Sequence, residues 1–146
     1  TGGLGGLGGR GGMARAIRIM HAAMVTGVSI AGVVFVVLVR LVHMSFGLSA
    51  DLGRLLAAIG LGIIVVAVYF LRPRIPQRPG DQSPDDYWTR SEIRGAAVLL
   101  WVVIEGAGLI GWIGYLLTSS VAPALTSLIS ILSLILVSPS RIEGNA

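Results

Sequence analysis

Four long apolar segments, separated by short polar stretches, dominate the hydropathy pattern of this chain. An α-helix rises about 1.5 Å per residue, so the stretch between Arg18 and Arg40 is roughly 33 Å long, close to the roughly 30 Å hydrocarbon core of a bilayer. The pattern predicts an all-α integral membrane protein, folded as a four-helix bundle. The predicted spans run from about Ile19 to Val42, Leu55 to Leu71, Gly95 to Thr118 and Val121 to Ser138.

The composition also indicates a membrane protein. Of the 146 residues, 54% are hydrophobic and 12% are charged, and the mean hydropathy is +0.86. Soluble domains carry about 25% charged residues, and a water-soluble fold of this size could not bury so much apolar surface. The chain has no cysteine, which excludes disulfides, thiolate chemistry and zinc–thiolate sites.

The arginines predict the orientation in the membrane. All eleven basic residues are arginine, and if the N-terminus is cytoplasmic, all but Arg40 and Arg54 lie inside. This is a strong positive-inside bias, so we expect both termini in the cytoplasm and the protein in a bacterial inner membrane. The net charge of +4 is also compatible with nucleic-acid binding. The arginines cluster at the ends of the apolar segments, however, so we expect no nucleic-acid partner.

The N-terminal region has two further features. Residues 1–12 are a low-complexity glycine-rich stretch, which predicts a flexible tail; Met13 is then a plausible native first residue, and residues 13–146 form the transmembrane domain. An alternative interpretation of the first apolar segment is a signal peptide with Leu48-Ser49-Ala50 as its cleavage site. The segment is longer than the apolar region of a signal peptide, about 7–15 residues, which favours a span.

Residues 72–94 form the long polar stretch and are predicted to be a cytoplasmic loop. Three prolines between Arg72 and Gly80 favour an extended backbone there. Ser83-Pro84-Asp85-Asp86 then has the order of a helix start, so the third helix is expected to begin near Pro84. We interpret the loop as a connector whose basic residues anchor it to the membrane surface, with a docking site for a partner as the alternative.

Glu105 is the one carboxylate inside a long apolar segment. An ionisable group at this depth costs roughly 2.5 kcal/mol or more on insertion scales, and it marks a candidate functional site. Ser29 and Ser130 are predicted at a similar depth, and Thr126 shares a helix face with Ser130. We therefore predict that Glu105 faces the bundle interior, with Ser29, Thr26, Thr126 and Ser130 as its neighbours.

Three roles for Glu105 follow from the residues. It is a protonated structural group bonded to those hydroxyls, a proton-binding or cation-binding carboxylate, or a contact to a partner subunit or bound lipid. His21 lies roughly 12 Å nearer the membrane surface, which is too far for a direct pair. We interpret His21 as an interfacial residue, with a ligand role as the alternative.

Small residues predict where helices pack closely. Gly27 and Ala31 in the first segment, and Ala107 and Gly111 in the third, have the small-xxx-small spacing that lets helix backbones approach each other. This spacing does not distinguish contacts within the bundle from contacts between subunits.

The sequence shows no set of residues typical of a catalytic site. There is no His, Asp and Glu cluster with metal-ligand spacing, no nucleophile paired with a base and no phosphate-binding loop. We therefore expect no enzymatic activity, no cofactor and no metal.

Two stretches carry resemblances to known families. His21-Ala22-Ala23-Met24-Val25-Thr26-Gly27 and the segment from Glu105 to Tyr115 resemble small four-helix bacterial membrane proteins, a likeness that covers most of residues 14–139 and implies a fold but no particular activity. The segment from Arg94 to Leu117 is similar to the carboxylate-bearing helix of ATP-synthase proteolipid (c) subunits. That resemblance implies that Glu105 is a proton site. This chain differs from proteolipids in its long polar loop, in a first helix without a dense glycine repeat and in an acid on the third helix.

Together these features favour a non-enzymatic accessory or structural subunit of a membrane assembly. Its expected partners are the lipid bilayer and either other membrane subunits or further copies of itself. The alternative is a component of proton or cation translocation that uses Glu105.

Overall fold

The computed structural model describes residues 12–144, and within that range the chain is helical and has no strand. Residues 1–11, which carry most of the predicted tail, lie outside the described residues, as do residues 145 and 146. The helices are α1 (Met13–Arg40), α2 (Ala50–Val66), α3 (Pro84–Thr89), α4 (Ser91–Thr118), α5 (Val121–Leu136) and α6 (Pro139–Ile142).

Three helical stretches are long and apolar enough to cross a membrane: Met13–Arg40, Ala50–Arg74 and Ser91–Thr118. The second of these is α2 extended by a π-helical turn (Ala67–Leu71) and a 3-10 turn (Arg72–Arg74). Pro73 explains this irregular ending, because it lacks an N–H and its ring clashes with the preceding helical turn. Helix α5 is apolar but shorter, with 16 residues.

The polar loop folds differently from the prediction at one point. Ser83 caps α3 as expected, accepting a hydrogen bond from the Asp86 N–H at 3.2 Å. The third long helix does not begin there, however, because the backbone of Arg90 is extended (φ −74°, ψ 119°) and separates α3 from α4. Arg94 holds this break, since its Nη1 donates to the carbonyls of Trp88 and Thr89 at 3.0 Å each. The expectation of one continuous helix from Pro84 is therefore wrong.

Helix α4 is the centre of the fold. It packs most extensively on α5, to which Ser119 and Ser120 join it, and it also contacts α1 and α2. Helices α1 and α2 each pack on the α4–α5 pair. Among the three long helices α4 is the most buried and α1 the least, so α1 leaves most of its apolar surface on the outside.

Glycines allow the closest helix contacts. A Cβ added to Gly111 in α4 would meet Ser127 and the Pro123 carbonyl of α5. A Cβ on Gly60 in α2 would lie 2.6 Å from Thr126 Cγ2 and 3.3 Å from the Ala107 carbonyl oxygen. Larger residues at these positions would force the backbones apart, so close packing of α4 depends on them.

Candidate functional site

Glu105 lies at the edge of the buried face of α4. Trp101 and Trp112, four residues before and seven after it, are buried, whereas Val102 and Leu109 are exposed. The Glu105 side chain is itself half-buried. The carboxyl therefore lies at the rim of the α1–α4 contact, whereas the sequence predicted that it faces the bundle interior.

The α1 surface beside this carboxyl is built from small residues. A Cβ added to Gly27 would lie 3.8 Å from Glu105 Oε1, an ordinary contact distance. Gly27 and Ala23, one turn earlier, are both exposed, and Ala31, one turn later, is half-buried. The residues of α1 beside Glu105 are therefore small, and Gly27 brings no side chain toward the carboxyl.

The hydroxyls of α5 that were predicted to neighbour Glu105 bind backbone carbonyls. Ser130 Oγ donates to the Ile104 carbonyl at 2.6 Å. Thr126 Oγ1 donates to the Ala57 carbonyl of α2 at 3.3 Å. A hydroxyl has a single proton to donate, so neither group donates to Glu105. Their role in the structure is to join α5 to α4 and to α2.

Neither hydroxyl of α1 forms a hydrogen bond with Glu105 in the described residues. Ser29 Oγ donates to the Val25 carbonyl at 2.7 Å, and Thr26 is exposed. Two residues along a helix correspond to about 200° of rotation, so Ser29 lies on the other side of α1 from Gly27. There it lines an apolar groove of about 380 Å³ together with Gly32 and Trp112.

Glu105 thus lacks an internal partner over the part of the chain that the structure describes. No hydrogen bond or ion pair in residues 12–144 involves its carboxyl group. The predicted packing residues differ in their environment: Ala107 and Gly111 are buried in α4 contacts, whereas Gly27 is exposed beside Glu105.

A second carboxylate, that of Glu143, lies at the centre of a polar cluster. The sequence predicted no role for this residue. The Glu143 side chain is fully buried. Its Oε2 accepts from Arg18 Nη2 at 2.7 Å, and its Oε1 accepts from Trp88 Nε1 at 2.6 Å. The Glu143 carbonyl accepts from Arg78 Nε at 3.0 Å. One residue after α6 therefore ties together α1, the polar loop and α3.

Tyr87 reinforces the attachment of the loop. Its hydroxyl donates to the Pro76 carbonyl at 2.6 Å, and its ring packs edge-on against Trp88 with centroids 5.0 Å apart. Burial raises the pKa of the Tyr87 phenol, so this group keeps its proton and remains a donor. Asp85 also links α3 to α1, accepting from the Ala14 N–H at 3.1 Å.

The last turn of α5 is capped by two side chains near this cluster. His21 Nε2 lies 2.8 Å from the Leu134 carbonyl oxygen, and since a carbonyl only accepts, the ring nitrogen donates. Trp101 Nε1 donates to the Val137 carbonyl at 2.8 Å. The His21 and Trp101 rings pack edge to face, with centroids 4.9 Å apart. His21 therefore satisfies a helix end and does not contact Glu105.

A sequence signal marks the short helix before Glu143, but none marks the burial of the acid itself. Ser138-Pro139 repeats the serine–proline start of α3, and it begins the short helix α6 that places Glu143. The acid itself lies beyond the last apolar segment, where a charged residue is normally solvated. Its burial depends on Trp88 and Arg18, which are distant in sequence, so no local pattern announces it.

Metal binding and similarity to known proteins are two further sources of information about the function. Within residues 12–144, no three His, Asp or Glu side chains come together as metal ligands. Comparisons of this chain with protein-family models, with curated proteins and with solved structures found no match. The function is therefore inferred from the chain's own geometry.

Proposed function

We propose that the chain is a four-span protein of a bacterial inner membrane and that it acts as a non-enzymatic accessory subunit of a membrane assembly. In this proposal both termini are cytoplasmic, and Glu105 is the polar contact to a partner helix. The observation that carries the proposal is the half-buried Glu105 carboxyl at the rim of the α1–α4 seam, without a partner in the described residues.

The four-span arrangement is supported by length and charge. Three helical stretches are long enough to cross a bilayer. Helix α5 has 16 residues, or roughly 24 Å, and a span of that length is accommodated by local thinning of the bilayer. Within the described residues Arg40 and Arg54 lie near one end of the long helices, and the other arginines lie toward the opposite end or in the polar loop. The positive-inside rule assigns the arginine-rich end to the cytoplasm.

The Glu105 carboxyl, without a hydrogen bond in the described residues, favours a partner on energetic grounds. A carboxyl group in hydrocarbon is costly even when it is protonated, because its hydrogen-bonding groups lose water. The hydroxyls of Ser29 and Ser130, which were predicted to neighbour Glu105, already donate to backbone carbonyls. A donor or acceptor on a partner helix would supply the missing hydrogen bond, so the acid favours an assembled state over an isolated one.

The surface around Glu105 suits a helix as the partner. We define the Glu105 surface as Ala23 and Gly27 on α1 with Val102, Glu105 and Leu109 on α4; apart from the half-buried Glu105 these residues are exposed. Small residues on α1 let a second backbone approach closely, and the apolar residues on α4 add packing contacts. The acid at the centre then fixes the register of the partner.

Two glycine-to-leucine substitutions in helices, one beside Glu105 and one away from it, test the proposal. Gly27→Leu places a large side chain beside Glu105, whereas Gly62→Leu changes a glycine of α2 with nothing within 4 Å of an added Cβ. We expect mild-detergent purification of the wild type and of Gly62→Leu to retain a stoichiometric membrane partner. Gly27→Leu and Glu105→Leu should lose it at least tenfold. The retained protein must be the same in the two positive samples.

Two outcomes would overturn the accessory role. One is a wild-type protein that stays monomeric and without companions in mild detergent and in lipid nanodiscs. The other is a partner that both Gly27→Leu and Glu105→Leu retain at the wild-type level. A second copy of the chain as the retained partner would support assembly through this surface and identify it as self-association.

Proton or cation translocation through Glu105 is the second candidate, and the same outward position supports it. A proton-exchanging group requires access to water or to a proton donor, and a carboxyl at the rim of the bundle can gain such access where it meets a neighbouring subunit. This function predicts that a hydrophobic carbodiimide labels the protein and that Glu105→Gln abolishes the labelling. Absence of labelling between pH 5 and 9 would contradict translocation and leave the accessory role standing.

The orientation is tested with the cysteine-free chain. Single cysteines at Asp81, in the loop after α2, and at Ser45, between α1 and α2, place one thiol near each end of the bundle. We expect a membrane-impermeant maleimide to label Ser45→Cys in intact spheroplasts and Asp81→Cys after the membrane is opened. The reverse pattern would contradict the proposed orientation.

A further inference from the structure

Three arginines converge on one pocket at the end of the bundle that contains Glu143. The pocket has a volume of about 210 Å³. Arg72 reaches it from the 3-10 turn after α2, Arg78 from the polar loop and Arg141 from α6. Because the three residues come from separate segments, the folded protein and not the local sequence brings them together.

Among the described residues, no carboxylate forms an ion pair with Arg72 or Arg141, two of the arginines that line this pocket. Glu143 also lines the pocket, but its carboxylate is buried and engaged by Arg18 and Trp88. The ion pairs in residues 12–144 include Arg18–Glu143, Arg54–Asp51 and Arg90–Glu92. Neither Arg72 nor Arg141 takes part in one of them, so the pocket presents two uncompensated guanidinium groups.

Arg78 is positioned by the surrounding backbone. Its Nε donates to the Glu143 carbonyl at 3.0 Å, and its Nη1 donates to the Gln82 carbonyl. These bonds orient the side chain between the loop and α6 before any ligand arrives. An oriented guanidinium loses less freedom on binding an anion than a mobile one, so the pocket is partly preorganised.

The position of the pocket along the helices indicates which kind of anion it would meet. Tyr69 and Phe70, in the π-helical turn just before Arg72, are 72% and 65% exposed. Aromatic side chains at the end of an apolar helix are typical of the membrane–water interface. The pocket therefore lies where the phosphates of lipid headgroups lie, and arginine forms bidentate hydrogen bonds with phosphate oxygens.

We propose that the Arg72–Arg78–Arg141 pocket binds the phosphodiester of an anionic phospholipid headgroup. The bound lipid holds α6 and the polar loop against the end of α2, next to the Glu143 cluster. The inference takes from the proposed function only that Ala50–Arg74 crosses the membrane. It does not involve the Glu105 surface, so the two proposals fail separately.

The experiment uses the full chain in an uncharged detergent, with unfolding followed by tryptophan fluorescence. Phosphatidylglycerol should raise the unfolding midpoint in a saturable way, and phosphatidylcholine should not. Arg141 is exposed, so we expect Arg141→Gln to have little effect on folding. This variant should weaken the apparent affinity for phosphatidylglycerol at least tenfold, and Arg72→Gln should weaken it by a similar factor. Arg74→Gln is the matched control, since it removes the same charge two residues from Arg72 but does not line the pocket. Its affinity should stay within twofold of the wild type.

Three results would overturn the proposal. If Arg74→Gln and Arg141→Gln weaken binding equally, diffuse attraction by the basic loop explains it. If inorganic phosphate at the same concentration reproduces the shift and Arg141→Gln removes it, the ligand is a free phosphate and not a lipid. If phosphatidylglycerol produces no shift in the wild type, the pocket is not a lipid site. Loss of the partner in the Gly27→Leu assay bears only on the Glu105 surface.

Discussion

The carboxylate of Glu143 accepts hydrogen bonds from Arg18 and Trp88, whereas that of Glu105 has no hydrogen-bonding partner in residues 12–144. Glu143 is fully buried and Glu105 half-buried. Glu143, which lies outside the apolar segments of the sequence, has hydrogen-bonding partners inside the fold. Glu105, which lies inside an apolar segment, has none among the described residues.

This difference indicates separate roles for the two carboxylates, although the same physical principle applies to both. A buried carboxylate is retained within a fold when charge and hydrogen bonds compensate its lost hydration. Glu143 meets this condition and so contributes to folding. Glu105 does not meet it among the described residues, which is why we assign it to a contact outside the bundle.

The largest expected effect is on the stability of the Glu143 cluster. Glu143→Ala leaves Arg18 and Trp88 Nε1 without their acceptor, and we expect it to lower the free energy of unfolding by about 2 to 3 kcal/mol. The value is at the lower end for a buried pair because Arg18 is half exposed and can regain water. Denaturant titration in micelles, followed by tryptophan fluorescence, measures it.

The control for this cluster is the exposed acid Glu92. It pairs with Arg90 at 3.7 Å, and both side chains are largely exposed, so Glu92→Ala should change the free energy of unfolding by less than about 0.5 kcal/mol. Equal destabilisation by Glu143→Ala and Glu92→Ala would remove the contrast between a buried and a solvated carboxylate.

The next effect concerns helix packing around α4. Gly111→Ala forces a methyl group against Ser127 and the Pro123 carbonyl, and we expect a loss of about 2 kcal/mol from overpacking. Gly106→Ala on the same helix has nothing within 4 Å of its new Cβ and should stabilise by up to about 1 kcal/mol through helix propensity. Opposite signs for these two variants are the expected result. A Gly111→Ala variant as stable as Gly106→Ala would show that α4 does not pack on α5 as described.

Tyr87 gives a smaller effect that distinguishes the two ends of the bundle. Tyr87→Phe removes the 2.6 Å hydrogen bond to Pro76 and should cost about 1 kcal/mol. Tyr115→Phe removes a longer contact, 3.3 Å from Arg40 Nε, and should cost about 0.5 kcal/mol or less. Equal losses would show that the loop is no better anchored than the opposite end.

The pH dependence of the Tyr87 contribution follows from its raised pKa. The folded protein holds the phenol proton more tightly than the unfolded chain, whose tyrosine pKa is near 10.0. The stabilisation is therefore complete below that pH and declines as the pH rises through the folded-state value. The difference between the wild type and Tyr87→Phe should shrink above pH 10 in the same unfolding assay, and a difference that grows there would contradict the assignment.

The helical class and much of the helix order could be predicted from the sequence, because long apolar runs bounded by arginine are typical of helices that can cross a membrane. The break at Arg90 could not, since it depends on Arg94 binding the carbonyls that end α3. The apolar pattern gives a span from about Ile19 but not the first turns of α1. The helix begins at Met13, where the Ala14 N–H and Arg18 find acceptors in Asp85 and Glu143.

The candidate site was predicted in part. Depth along the helices was a sound guide, since Ser130 binds the carbonyl of Ile104, the residue next to Glu105. Depth alone does not give the direction of a side chain around its helix. The position of Glu105 at the rim depends on which face of α4 packs against α1, a tertiary property that no periodicity in α4 resolves, because small and apolar residues surround the helix on all sides.

The smallest expected effect on stability is also the most informative. Glu105→Gln and Glu143→Gln are the same chemical change at the two carboxylates. In micelles without a partner, Glu105→Gln should change the free energy of unfolding by less than about 0.5 kcal/mol. Glu143→Gln should cost about 1 kcal/mol, because the amide still accepts from Trp88 but no longer carries charge toward Arg18. Unfolding of the purified monomers under one set of conditions compares them directly. A loss at Glu105 that matched or exceeded the loss at Glu143 would require an internal partner for Glu105. That result would remove the reason to look for its partner in another subunit.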